Sequence, residues 1–490
     1  MVARQGRSSL GAFGAIVPRS AGSRRSSALR LDWPGRVWEP GKADHSGRES
    51  AATVESAGTK PSPAVAASEP PHGRLILGDA LDVATSLARD GFGGTVDMVY
   101  VDPPFASQAA YVYEARLDGP ADGRVLRAKA YDDRWEGGGV ATYLDMLAPR
   151  LESLVELLAP TGTIWVHVDY RASYLVRLIL DEMLGREAFV NEIVWRRAPN
   201  LGRQAASSQF GRTLDTIVVY GRSDRAVLVP PTRLEPIQTS AIRWDDAGRP
   251  FVAAPRGDYT DGSIERLDRE GRVHRTASGK VYIKYFLLQN SDGEWCRERR
   301  IDALWTDVRP LRHAASGERT GFPTQKPRAL LDRIVSCASP PGGFVVDLFA
   351  GSGTTGESAY ALGRRFVLGD GSPLATATAR ARLLRAGASI EMQDCGRTSP
   401  VADAPRVAVD RVGSCVRVRL VAPLEPLAWA VGSVADARAP LRTAWHSERV
   451  PGTRARRVLD EALFEHPLGP LAVRVWNDDG TVGTWVEEVA

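Results

Sequence analysis

Asp102-Pro103-Pro104-Phe105 follows directly on the apolar run Val96-Asp97-Met98-Val99-Tyr100-Val101. Prolines lack a backbone N–H, so this stretch offers rigid carbonyl acceptors without competing donors. With a carboxylate before them and a flat ring after, the four residues suit a planar base bearing an exocyclic amino group. Acceptors meet its hydrogens, and an aromatic face meets its ring. The plainer alternative is a strand followed by a Pro-Pro turn. A β-branched apolar run stopped in this way reads as a buried strand, and open α/β sheets bind ligands just beyond such strand ends.

A second segment has the same construction. Phe344-Val345-Val346-Asp347-Leu348-Phe349 reads as a strand, runs into Ala350-Gly351-Ser352-Gly353-Thr354-Thr355-Gly356, and continues into a helical stretch from Glu357 to Gly363. Glycines there allow close approach of a ligand, and a helix start offers free N–H groups. The following strand, Arg365-Phe366-Val367-Leu368, ends in Gly369-Asp370, and a shorter one, Arg74-Leu75-Ile76-Leu77-Gly78, ends at Asp79. An acid closing the second strand can accept from ribose hydroxyls. Three acids at strand ends around one glycine turn imply a nucleoside-containing cofactor.

Taken in order, these segments resemble the amino-group DNA methyltransferases that use S-adenosylmethionine, in the permuted arrangement where the catalytic motif precedes the cofactor motif. Gly78-Asp79-Ala80-Leu81 is similar to the family's adenine-contacting segment and Asp102-Pro103-Pro104-Phe105 to its catalytic motif. Tyr131-Asp132-Asp133-Arg134-Trp135 resembles a segment that often follows, and Gly162 to Asp169 the next core strand. Thr324-Gln325-Lys326-Pro327 and Phe349 to Thr355 complete the set, which spans about residues 72–390. Two departures stand out: Leu348 occupies a position where the family usually has proline, and Gly369-Asp370-Gly371 is richer in glycine than usual.

The resemblance implies an α/β, Rossmann-like fold, doubly wound and circularly permuted, with an inserted target-recognition region and a small β-rich C-terminal region. It implies methyl transfer to the N6 amine of a flipped-out adenine in a specific double-stranded DNA sequence. Asp102 and the Pro103 carbonyl accept the amino hydrogens, Pro104 stiffens the loop and Phe105 stacks on the base. Asp347, Phe349, Gly351, Gly353 and Thr354 shape the methionine and ribose side of the cofactor. Asp370 takes the ribose hydroxyls, Asp79 the adenine amino group, and Thr324 and Lys326 lie near the methionine end. A helix-capping role for the Thr324 segment and core packing for Phe105 and Trp135 are the structural alternatives, and packing is favoured for Trp135.

Several rival functions stay open on sequence alone. Cytosine N4 is the other target within the family, whose cytosine enzymes more often open the catalytic motif with serine. The glycine turn followed by Asp370 also satisfies a nicotinamide-dinucleotide fingerprint. Against an oxidoreductase, no second βαβ half follows the turn, and the Asp-Pro-Pro-Phe motif is left without a task. A catalytically silent DNA-binding protein would not need every acid and glycine that is present.

Composition sets the outer bounds. The chain has 490 residues, 43% hydrophobic and 25% charged, enough for two or three domains. No apolar run approaches the roughly 20 residues of a membrane span, so no membrane contact is expected. The four cysteines form no Cys-x-x-Cys pair, which argues against zinc or a disulfide framework and fits a reducing compartment. The net charge is +4, yet residues 196–320 hold 22 Lys plus Arg against 16 Asp plus Glu, an excess that suits a polyanion and that a solvated surface would also tolerate.

Residues 1–71 read as a disordered extension, with six arginines and no acid in the first thirty and an Ala/Ser/Pro-rich run from 51 to 71. A transit peptide or a start assigned too far upstream are the other readings. Residues 72–195 carry the catalytic half of the core, 196–320 the target-recognition region, 321–392 the cofactor half, and 400–490 a β-rich domain without a motif. The preference for Arg, Ala and Gly over Lys suggests a GC-rich bacterium. The expected setting is therefore the bacterial cytoplasm, associated with the nucleoid when on DNA. A restriction subunit and a homodimer are the further partners that the layout allows.

Overall fold

The computed structural model describes residues 31–33, 36–39, 41, 50–55, 72–107, 109–116, 125–135, 139–200, 208–315, 317–395, 403–412, 415–422, 428–433, 442–448, 461–465, 471–476 and 482–486. Two compact units emerge, one made of 1–228 with 303–490 and the other of Val229–Asp302.

The first unit is organised by a ten-stranded sheet. Its centre is six parallel strands in the order Ile390–Cys395, Gly73–Gly78, Arg365–Asp370, Phe344–Asp347, Val96–Val101 and Leu158–Val168. The inner strands of this set are mostly apolar and buried, as expected where both faces are covered. Helices Ala80–Leu87, Val140–Leu157 and Ser173–Leu184 pack in series on one side, and Arg328–Ala338, Thr354–Ala361 and Pro373–Arg385 on the other. The Val140 helix presents Tyr143, Leu144, Leu147, Leu151, Leu154 and Val155 to the core, a stripe of helical period. This is a doubly wound α/β sheet.

One register decides where ligands can sit. Val96–Val101 and Phe344–Asp347 are neighbours and parallel, pairing Met98 with Val345 and Val99 with Val346. The Phe344 N–H also donates to Asp97 Oδ2 at 2.8 Å. Segments some 240 residues apart in the chain therefore end side by side, and Asp102 and the glycine turn emerge on the same sheet edge. That is the permuted order in spatial form.

Beyond Leu158–Val168 the direction changes. Leu214–Gly221 runs antiparallel to it, Phe189–Arg196 pairs antiparallel with Leu214–Gly221, and Leu304–Trp305 closes the edge. The stretch assigned from sequence to target recognition, 196–320, is thus wider than the second unit. Its flanks belong to the core sheet because Ile217, Val218, Val219 and Tyr220 are continuously apolar and buried. Within Val229–Asp302 itself, six antiparallel strands form a sheet, and helix Asp261–Arg269 packs Ile264 and Leu267 on Val273 and Ile283.

Of the stretch 1–71 expected as an unfolded extension, residues 1–30 and 56–71 lie outside the described residues, while 31–33, 36–39, 41 and 50–55 are described. Trp38 is 6% exposed within the main core cluster. Its Nε1 donates to Glu152 at 2.7 Å, Trp33 Nε1 to Asp145 at 3.0 Å, and Arg36 pairs with Glu182 at 2.8 Å. Two indoles and a guanidinium spaced over six residues are enough to strap the segment onto the helices. Ser50–Glu55 adds an antiparallel edge strand to Ile390–Cys395. At the other terminus, seven strands form antiparallel sheets of three and four around Val416, Val418, Leu420, Val431 and Val473.

Candidate active site

At the shared edge lies a cavity of about 260 Å³, lined from the first half by Asp79, Asp102, Pro103, Pro104, Phe105 and Trp135. From the second half it is lined by Thr324, Lys326, Asp347, Phe349, Gly351 and Asp370, with Thr354 also on its wall. Gly353 is the exception among the sequence candidates. It lies just behind the wall, where a Cβ would meet Ala379 Cβ at 2.7 Å. Trp135, favoured from sequence as packing alone, lines the cavity as well as packing edge-on against Tyr143 at 5.4 Å.

Asp102 is the focus of the first half. Its Oδ2 accepts from the Lys326 ammonium, while Oδ1 is buried with no hydrogen-bond partner. An orphaned carboxylate oxygen in a cavity wall is an acceptor awaiting a donor. Lys326 Nζ lies 5.2 Å from the centre of the Phe105 ring, so one cation rests against both groups. Lys326 is therefore held at Asp102 and Phe105 rather than only beside the glycine turn.

The loop after Asp102 is held by a residue that sequence reasoning did not single out. Asp133, 1% exposed, accepts from the Phe105 N–H at 3.1 Å and the Ser107 N–H at 2.7 Å through Oδ2. Its Oδ1 accepts from Trp135 Nε1 at 2.9 Å. In the segment Tyr131 to Trp135 the available signal is an acid two residues before a Trp. Ala106, immediately after Phe105, and Thr324 have φ of 55° and 60°. Among the described residues they are the two non-glycine positions with positive φ, and both adjoin this cavity. Unfavourable backbone of this kind persists where the surroundings impose it.

In the second half the acids divide their work. Asp347 uses both oxygens within the protein, accepting from Phe349 N at 2.9 Å and Thr355 Oγ1 at 2.6 Å. Burial pushes its carboxyl up to about 7 against those two donors. Asp370 accepts from the Gly351 and Ser372 N–H groups at 2.9 and 2.8 Å, and burial pushes it up to about 6. Asp79 caps helix Ala80–Leu87 through Leu81 N at 2.9 Å and gives its other oxygen to Arg150 at 2.6 Å. Arg382, also absent from the sequence candidates, buttresses the turn. It donates to Thr354 Oγ1 at 2.7 Å and Ser352 Oγ at 3.1 Å while paired with Glu357.

The lining tests what the cavity can hold. Gly351 has a φ of 49°, and a Cβ there would stand 3.3 Å from the Phe322 ring that helps line the cavity, so the turn lies open to a ligand only without a side chain. Four lining acids face two lining cations, and Arg150 and Lys326 are each paired to one of those acids. Such a wall suits a ligand bringing hydroxyls and positive charge, and disfavours the pyrophosphate of a dinucleotide. S-Adenosylmethionine meets both conditions, and Asp370, Asp102 and Phe105 are among the residues that would hold it. Among the described residues no group of three or more His, Cys, Asp or Glu is placed to hold a metal ion.

Comparison with known proteins agrees with this construction. The profile of the N6_N4_Mtase family, described as DNA methylase, matches residues 96–374, more than half the chain. The chain belongs to this family. It is 26% identical over 316 residues to the Type II methyltransferase M.EcaI of Enterobacter cloacae, covering 59% of this chain and 65% of that protein. It is 25% identical over 342 residues to the StyLTI Mod subunit, a Type III restriction-modification enzyme of Salmonella typhimurium, covering 59% and 50%. The chain thus spans less than two thirds of either relative. Among solved structures, M1.HpyAVI with SAM is 17% identical with a TM-score of 0.35, covering 64% of this chain and 98% of that one. PvuII DNA methyltransferase, cytosine-N4-specific, is 13% identical with a TM-score of 0.37, covering 64% and 89%.

Proposed function

We propose that this chain transfers a methyl group from S-adenosylmethionine to the N6 amine of adenine in double-stranded DNA, at a specific sequence and on a base turned out of the helix. The observation that carries the reading is the orphaned Asp102 Oδ1 on the wall of a cavity that also contains the glycine turn. The cofactor, when bound, supplies a methyl group on a positively charged sulfur. Asp102 Oδ1 accepts one amino hydrogen and the Pro103 carbonyl the other, which lets the nitrogen lone pair leave conjugation with the ring and point at that methyl. Both acceptors strengthen their hold as positive charge grows on nitrogen, so they favour the transition state over the ground state. A carbon–nitrogen bond forms, the carbon–sulfur bond breaks with its electron pair staying on sulfur, and one proton passes from the nitrogen to the Asp102 carboxylate and from there to solvent.

Adenine is preferred to cytosine because an aspartate opens the motif at Asp102. The names of the Type II and Type III relatives support a modification role in a restriction system, with a nuclease as partner. The test is transfer of tritium from labelled S-adenosylmethionine to DNA of a methylation-free host, followed by nucleoside analysis. Label in N6-methyladenine supports the proposal; label in N4-methylcytosine reassigns the target, and DNA binding without label rejects methyl transfer.

A further inference from the structure

Behind Phe105 lies a buried polar chain that plays no part in the account so far. The His167 ring stacks on Phe105 with centroids 6.1 Å apart and planes 17° apart, within the range of offset stacking. His167 has no exposed surface, and it is fixed at both nitrogens: Nδ1 is 2.8 Å from the Tyr100 hydroxyl and Nε2 3.2 Å from Asp215 Oδ2. Tyr100 and Trp195 meet its ring edge-on, at 6.2 Å and 89° and at 5.7 Å and 88°. Asp215 in turn pairs with Arg197 at 2.7 Å, and Trp195 Nε1 is tied to the Val308 carbonyl at 3.0 Å.

The protonation pattern along this chain is set by its ends. Burial drives the Tyr100 hydroxyl well above its ordinary range, so it remains a donor to Nδ1. At Asp215 burial acts in the opposite sense to the net effect. The hydrogen bond from His167, with His167, Lys326 and Arg197 nearby, holds that carboxyl below its usual value. Both ring nitrogens of His167 are thus held by fixed partners, the Tyr100 hydroxyl at Nδ1 and the Asp215 carboxylate at Nε2. A ring so constrained can neither turn nor flip, and three of its neighbours are aromatic.

We infer that His167 is a positioning residue for methyl transfer, setting the plane of Phe105 against which the target base stacks, with Tyr100 and Asp215 as its clamps. The inference deepens the proposed reading and rests on it. Asp133 fixes the Phe105 backbone and His167 fixes the ring, so the two together define where a base can lie relative to Asp102. The signal in the sequence was a single histidine inside the apolar strand Trp165-Val166-His167-Val168, a position whose alternation gives it to the buried sheet.

The test is a double-mutant cycle on single-turnover tritium transfer, with cofactor affinity measured by calorimetry on each protein. Wild type must label DNA; if it does not, the functional reading fails and this inference falls with it. Given labelling, His167→Ala should slow transfer by about tenfold, the scale of one lost stacked pair, with cofactor affinity unchanged. In a Phe105→Ala background the same substitution should slow transfer by less than about twofold, because the ring it positions is gone. Tyr100→Phe, which removes only the donor to Nδ1, should show a smaller loss with the same dependence on Phe105. That variant decides the matter if His167→Ala no longer binds cofactor. Losses of equal size with and without Phe105, or no loss at all, would overturn the inference.

Discussion

At the scale of single residues, each acid of the cavity is distinguished by what already occupies it. Asp347 is spent on the turn, Asp79 on a helix cap and Arg150, and Asp102 keeps one oxygen open. Asp347, pushed up to about 7, and Asp370, pushed up to about 6, are the acids whose charge depends on conditions near neutrality. Asp370 is the one whose hydrogen-bond partners are both backbone N–H groups. Its carboxyl is raised from 3.8 to about 6 in the folded chain, so the native state holds its proton more tightly than the unfolded state. The contribution to folding is therefore fully present below the unfolded value of 3.8, and it is lost as pH climbs through about 6, where the buried group must ionise. Under the proposed function cofactor binding should have the opposite slope, because ribose hydroxyls would donate to the ionised form of Asp370. Calorimetric affinity for S-adenosylmethionine should rise from about pH 5 to about pH 7 and then level off. Asp370→Asn should bind more weakly at neutral pH and lose that rise.

At the scale of elements, the glycine turn and the catalytic loop were both legible from the sequence. A strand ending in an acid and a Gly-x-Gly turn leaves few other structures, and Leu348, where the family usually has proline, is simply buried in the observed turn. Gly353 shows why the turn demands its residue types. With a φ of 77° and Ala379 in the path of a Cβ, Gly353→Ala should cost about 1–3 kcal/mol of stability. A lowered melting temperature together with at least tenfold weaker cofactor binding, roughly the scale of a displaced turn, is the expected result. The supports were not legible. Asp133, Arg382 and His167 act across 28, 28 and 62 residues of sequence on Phe105, Thr354 and Phe105 respectively, and no local pattern announces a contact at that range. The pairing of Leu214–Gly221 with Leu158–Val168 was not legible for a related reason: a strand after a break in the αβ rhythm gives no hint that it returns to the same sheet.

At the scale of the whole molecule, the N-terminal segment was read from its arginine-rich first thirty residues and its Ala/Ser/Pro run, yet Trp33, Arg36 and Trp38 lie between them and dock on the core. Composition averages over a window, and three anchoring side chains are lost in the average. Trp38→Ala should cost about 3–5 kcal/mol, read as a shift in the denaturation midpoint; an unchanged midpoint would mean the strap contributes nothing. Val229–Asp302 is compact by itself, so replacing it with a short Gly/Ser linker should leave cofactor affinity within about threefold and abolish sequence-specific transfer. Loss of cofactor binding in that protein would show that the unit supports the cavity instead. The central claim is that two distant halves of the chain, joined in one sheet, build a single cleft for amine and methyl donor. It is tested most directly by measuring, on the same sample of Asp102→Ala, single-turnover transfer to DNA and affinity for S-adenosylmethionine. The account predicts transfer reduced by about 10²–10³-fold or more with cofactor affinity preserved; wild-type transfer in that variant would contradict it.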